Sequence, residues 1–157
     1  MMNIDGHGYQ KVTHAHAFGG PKLAVDTLNK NLDLDIKNYV TVNFNTVGEI
    51  IDEVGGIVQD LDDSEVKVIN GYIDEVNKVR GTSSDHITSA GTYTLDGTQA
   101  VAYSRIRYTA GGDYKRAERQ RTVLFKVFES AKEMNTAAKI KMVSDLISHV
   151  NTNYDTN

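Results

Sequence analysis

The residues best suited to chemistry in this chain are its arginines, and five of the six lie in one eighteen-residue run, "SRIRYTAGGDYKRAERQR", residues 104–121. Arg105, Arg107, Arg116, Arg119, Arg121 and Lys115 meet only Asp113 and Glu118 there, so the run carries +4 in a chain of net charge −4. A guanidinium presents a planar fork of donors and keeps its charge at physiological pH, which suits it to bidentate binding of phosphate. On a helix opening near Asp113, residues Arg116, Gln120, Val123 and Val127 fall on one stripe, with Leu124 and Phe128 beside them. The apolar end of that stripe must face the core, so Arg116 and Gln120 look into the interior or a cleft. If "SRIRY" is extended, Arg105 and Arg107 share one side and Ile106 takes the other. Two arginines from one element, with Arg116 and Gln120 from the next, would make a four-point cradle for an anion the size of a diphosphate. The same residues also read as a solvated face whose arginines pair with nearby carboxylates. Arg119, Arg121 and Lys115 are assigned to that face.

Other chemistry-bearing groups are thinner. His14 and His16 in "HAH" would lie on one side of a strand as metal ligands, but no third ligand is near, and an ordinary loop explains them. "DLDDSE" at 60–65 could hold magnesium, yet Ser64 and its acidic neighbours mark a helix start better. "GHG" at 6–8 lacks the apolar helix a dinucleotide site requires and reads as a turn.

The elements that position these groups alternate between helix and strand. "IDGHGYQKVTHAHAFGGP" reads as a loop or hairpin, and Pro21 then opens a helix, "PKLAVDTLNKNLDL". "YVTVNF" at 39–44 is a strand by composition. Thr46 and Glu49 have capping-box spacing ahead of a helix with Val47, Ile50, Ile51 and Val54 on one face, ended by Gly55. "GGIVQDL" follows as a strand, then 64–79 as one helix or two broken near Gly71. "GTYTL" is a short strand, and Asp96 with Gln99 caps the helix "TQAVAYS". Helices over 113–133 and 136–150 complete the chain. The class is α/β, a central mixed sheet with helices on both faces in a single domain, although only three strands are clear.

A chain of 157 residues with 39% hydrophobic and 24% charged residues can bury a core without staples, and it has no cysteine to make one. It contains no run of about 18 apolar residues and no signal-peptide pattern near Met1, so as given it is expected neither to span a membrane nor to direct its own export. The acidic balance argues against nucleic acid as a partner, including "KRAERQR" as a recognition helix.

At the arginine run the chain resembles the LytR-CpsA-Psr family, cell-wall phosphotransferases of chiefly Gram-positive bacteria. The likeness extends over "KVTHAHAFGGPKLAVDTLNKNLDLDIKNYVTVNF", "IIDEVGGIVQDL", "LDGTQAVAYSRIRY" and "GDYKRAERQR". The family pattern is an arginine pair, then an aspartate, a further arginine and a glutamine on a helix; Arg105, Arg107, Asp113, Arg116 and Gln120 occupy those positions. The resemblance implies an enzyme that moves a polyprenyl-pyrophosphate-linked anionic glycopolymer (wall teichoic acid, capsule or similar) onto peptidoglycan, with Mg²⁺ as cofactor and the lipid in an apolar tunnel. A binding module that holds the same lipid-linked polyanion without chemistry is the alternative. Arg105 and Arg107 would clamp the diphosphate, Arg105 being the catalytic group, with Arg116 as a second clamp. Gln120 would orient by hydrogen bonding, and Asp113 would hold an arginine in place.

Family members begin with a cytoplasmic stub, a transmembrane helix and strands that carry an aspartate and further arginines. Asp5 does not match that metal ligand. The resemblance therefore implies a fragment lacking the first strands and the metal site, weak in turnover, from a parent on the outer face of the cytoplasmic membrane. A partial sheet would also leave an open edge for self-association.

Overall fold

The strands of this α/β chain form three separate two-stranded antiparallel pairs among the described residues, which in this computed structural model are 1–109 and 111–154. No central sheet covered on both faces is assembled from them. A two-stranded ribbon is too narrow to bury two faces, so helices take over the core. The chain divides into two compact units, Met1–Val42 with Val150–Asn157, and Asn43–His149.

In the first unit, β1 (Met2–Ile4) and β2 (Gly8–Gln10) form a hairpin with Ile4 opposite Gly8. α1 (Val12–Leu32) is broken at Gly19 and Gly20, where Gly20 has φ 67° and ψ −162°, so that Pro21 opens the second segment. The first segment is helical where a loop was expected. His14 and His16 therefore do not share a strand face; two residues apart on a helix, they project about 200° apart. His7 instead stacks on Phe18 at 4.2 Å. Reciprocal bonds of Asn31 with the Asn3 backbone, both 2.9 Å, tie α1 to the hairpin. β3 (Val40–Thr41) pairs with a short strand near the C-terminus, Asn151–Thr152.

The second unit carries the arginine run. α2 (Phe44–Glu53) is capped by Asn43, whose side chain accepts from the Thr46 N–H at 2.9 Å. The helix thus starts three residues before the expected Thr46 cap, and Phe44 leaves the strand for the first turn. β4 (Ile57–Leu61) leads to α3 (Asp63–Arg80), capped by a reciprocal Asp62–Glu65 box and continuous through Gly71. β5 (Gly91–Leu95) pairs with β4, Ile57 opposite Leu95. α4 (Gly97–Arg105), capped by Asp96 and Gln99 as expected, is buried on nearly every side and packs against α2, α3 and α5. α5 spans Gly112–Glu133 and α6 spans Thr136–Leu146, followed by a 3₁₀ turn at Ile147–His149.

Small residues let neighbours close on α4. The hydrogen of Gly97 faces the Gly48 carbonyl of α2, and the Gly97 N–H donates to Asp52 at 2.6 Å. Arg80, its side chain only 7% exposed, spans the same junction by donating to Asp52 and Thr98. Ile51, Ile69, Ile73, Leu95, Val101 and Val123 fill the core beneath.

Candidate anion-binding site

The site begins where α4 stops. Arg105 is the last helical residue, and Ile106 turns the chain out of the helix at φ −55° and ψ 124°. "SRIRY" is therefore a helix end and not a strand, because the capping box at Asp96 nucleates a helix that runs through Arg105. The alternation survives the correction. Ile106 is fully buried, and the arginines on either side of it turn to the same cavity. α5 then starts beyond Gly111, whose φ of 95° reverses the chain at little steric cost.

Arg105, Arg107, Arg116 and Gln120 all line one cavity of about 680 Å³. Its other walls are Phe44 from α2, Val68, Gly71, Tyr72 and Glu75 from α3, and Tyr108. The four polar groups expected to converge do so, and Phe44, Tyr72 and Tyr108 add an aromatic wall that spacing within one element does not foretell. Phe44 lies in a segment read as a strand, and Tyr72 and Glu75 sit on a segment read as one helix or two interrupted near Gly71.

Each arginine is held by something weaker than a dedicated buried partner. Arg105 donates to Glu75 at 3.0 Å, and its guanidinium lies 5.8 Å from the Phe44 ring and 5.9 Å from Tyr72. The Arg107 backbone N–H donates to the Tyr72 hydroxyl at 3.3 Å. Asp113 stands between the two elements, 3.5 Å from Arg107 Nε and 3.3 Å from Arg116 Nη1. Arg116 Nε is buried and has no hydrogen-bond partner among the described residues. Three guanidinium groups meet two carboxylates, Glu75 on the lining and Asp113 beside it, which leaves one positive charge in excess, and Arg116 Nε is the one buried side-chain donor without an acceptor among the described residues.

Arg119, assigned to the solvated face, is instead 6% exposed. Its Nε donates to Glu65 at 2.9 Å, its Nη1 to the Ile106 carbonyl at 3.3 Å and its Nη2 to the Thr109 hydroxyl at 2.8 Å. The signal was present in the spacing: buried Val123 lies four residues on, on the same side of α5. Tyr103, whose ring is 5.7 Å from the Arg119 guanidinium, has its phenol pushed up to about 12, chiefly by burial and then by the Glu65 charge. Leu124 and Phe128, placed beside the core stripe, are 59% and 62% exposed.

The LytR_cpsA_psr family model matches residues 1–157. The chain belongs to the LytR-CpsA-Psr family. It is 33% identical over 156 residues to the polyisoprenyl-teichoic acid–peptidoglycan teichoic acid transferase TagT of Bacillus subtilis (strain 168), covering 99% of this chain and 45% of that protein. It is 35% identical over 150 residues to a TagU transferase of Enterococcus faecalis, covering 94% and 44%. The chain thus spans less than half the length of these relatives. Among solved family structures, TagT bound to LIIa-WTA superposes with a TM-score of 0.74 at 30% identity, over 99% of this chain and 55% of that one. A YwtF (TagT) structure with bound octaprenyl pyrophosphate lipid superposes with a TM-score of 0.62 at 30% identity, over 94% and 57%. The family fold thus carries the α/β architecture described above, and no helix among the described residues is long and apolar enough to cross a membrane.

Proposed function

We propose that this chain is the diphosphate-binding part of a phosphotransferase that moves an anionic glycopolymer from a polyprenyl diphosphate carrier onto peptidoglycan. The observation that carries the reading is the convergence of Arg105, Arg107, Arg116 and Gln120 on one partly apolar cavity. Relatives named as teichoic acid transferases, and a related structure titled with bound octaprenyl pyrophosphate, support the substrate class. The polymer would be wall teichoic acid, capsule or a similar anionic glycan. The reading places the site outside the cytoplasmic membrane, where peptidoglycan lies.

Transfer requires an acceptor hydroxyl oxygen to attack the glycan-side phosphorus while the bridging P–O bond breaks and polyprenyl phosphate leaves. Such transition states spread charge over the phosphoryl oxygens, and fixed cations lower the barrier by positioning and by stabilising that charge. Arg105 and Arg107 would grip the diphosphate from the α4 end and Arg116 from α5. Gln120 would orient an oxygen, and Asp113 would keep Arg107 and Arg116 apart at a set distance. The Mg²⁺ implied by the resemblance finds no cluster of three carboxylate or imidazole ligands among the described residues. Glu75 and Asp113 are already committed to arginines, so no step is routed through the ion.

The test is transfer of a labelled lipid-linked glycan to peptidoglycan by the full protein. Arg105→Ala and Arg116→Ala should each lower the rate by about a hundredfold or more, the cost of losing one charge-stabilising donor. Unchanged rates in both variants would overturn the reading. Carrier binding without any transfer would instead favour a module that only holds the lipid-linked polymer.

A further inference from the structure

Arg119 is a charged residue inside the core that the transfer reading does not use. Each of its three nitrogens donates within the protein, to Glu65, the Ile106 carbonyl and the Thr109 hydroxyl. Burying such a pair costs several kcal/mol per ion in desolvation, and an apolar pair of similar size would hold a core as well or better. An apolar pair could not, however, fix two acceptor atoms of a loop.

Those two acceptors flank Arg107. Residues 106 and 109 bracket the short stretch that carries the Arg107 guanidinium, and Arg119 sits on α5 one residue from Gln120 and three from Arg116. Glu65, in turn, is fixed by the Asp62 backbone N–H at 3.2 Å through the α3 capping box. A continuous chain of hydrogen bonds thus runs from the start of α3 through Arg119 to the loop.

We infer that Arg119 is a positioning residue that sets the spacing between Arg107 on the loop and Arg116 and Gln120 on α5, and that this spacing makes the site select a diphosphate over a monophosphate. The inference rests on the diphosphate reading above. One phosphate can be held by either element alone, whereas two linked phosphates need both elements at a fixed separation. Loosening the loop should therefore lower diphosphate affinity and spare monophosphate affinity.

The experiment is calorimetric titration of the full protein with farnesyl diphosphate and with farnesyl monophosphate. Thr109→Val removes one acceptor of Arg119 without touching the cavity lining and keeps the Glu65 pair. It should lower the diphosphate-to-monophosphate affinity ratio about tenfold or more, the worth of one lost hydrogen bond to a charged group. Thr109→Ser should restore the ratio. Arg119→Lys, which can pair with Glu65 but cannot fork to both loop acceptors, should match Thr109→Val. If Arg119→Lys does not fold, the threonine pair decides alone. Should Arg105→Ala weaken diphosphate binding while Thr109→Val leaves the ratio unchanged, the positioning role is overturned and the clamp stands. If Arg105→Ala leaves diphosphate binding unchanged, the clamp reading falls and the role of Arg119 falls with it.

Discussion

Arg105 donates to Glu75 at 3.0 Å inside the cavity assigned to the diphosphate. The carboxylate holds one Nη of the guanidinium that an incoming phosphate would use, so the two compete for Arg105. The pair is partly exposed, with side chains 33% and 62% accessible, and such pairs are worth about 0–1 kcal/mol. Glu75→Gln should therefore tighten binding of farnesyl diphosphate by about two- to fivefold at low salt. Calorimetry checks this, and a weaker complex would show that Glu75 assists the ligand.

Gly71 faces the cavity from the middle of α3, and a Cβ there would meet nothing within 4 Å. Gly71→Ala should raise stability by about 0.5–1 kcal/mol, the helix cost of glycine relative to alanine. Gly71→Leu should fold equally well but fill the cavity and weaken diphosphate binding about tenfold or more. Thermal melts paired with titration separate the two effects.

The junction of α2 and α4 should be the least tolerant point of the second unit. A Cβ on Gly97 would collide with the Gly48 carbonyl, which is backbone and cannot step aside, whereas one on Gly48 would collide with the Arg80 guanidinium. Gly97→Ala is expected to cost about 3 kcal/mol, at the upper end of overpacking. Gly48→Ala is expected to cost a similar amount by prising Arg80 from Asp52 and Thr98. Denaturant unfolding of both variants measures this; wild-type stability in Gly97→Ala would mean that the helices are further apart than described.

Asp62 accepts from the Ser64 hydroxyl at 2.6 Å and from the N–H groups of Ser64 and Glu65 at 2.7 and 2.9 Å. These bonds, that of the Ser64 hydroxyl first, hold its carboxyl below the ordinary value of 3.8. A group with a depressed folded pKa stabilises above its unfolded value and loses that contribution as pH falls through the folded one. Asp62→Asn keeps a cap acceptor that does not titrate. The stability difference between the two proteins should stay flat at about 1 kcal/mol or less near neutrality and shrink below about pH 4. A difference that grew in acid would contradict the assignment.

Several features were legible in residue order because they are local. The Asp96–Gln99 cap, the Asp113 end of α5 and the side shared by Arg116 and Gln120 follow from spacing along one helix. What was misread depended on competition or on tertiary packing. Asn43 and Thr46 both qualify as caps, and the earlier residue won by accepting from the later one, which drew Phe44 into α2 and onto the cavity wall. Spacing left 64–79 open as one helix or two, and the continuous one forms despite Gly71 because Ile69 and Ile73 are fully buried on either side. Val123, four residues on, marks the inward side that Arg119 shares, but its partners Glu65, Ile106 and Thr109 come from elements that helical spacing on α5 cannot bring together. Three strand segments, within 39–44 and at Ile57–Leu61 and Gly91–Leu95, were visible, but the pairing of the last two was not, since Ile57 and Leu95 lie across an intervening helix.

Whether guanidinium groups from two successive elements close on one diphosphate is decided by a crystal structure of the full protein with a bound polyprenyl diphosphate. Phosphate oxygens are expected within about 3 Å of the guanidinium groups of Arg105, Arg107 and Arg116, with the Glu75 carboxylate displaced from Arg105. A diphosphate bound elsewhere, with Arg105 still on Glu75 and Asp113 still between Arg107 and Arg116, would contradict it.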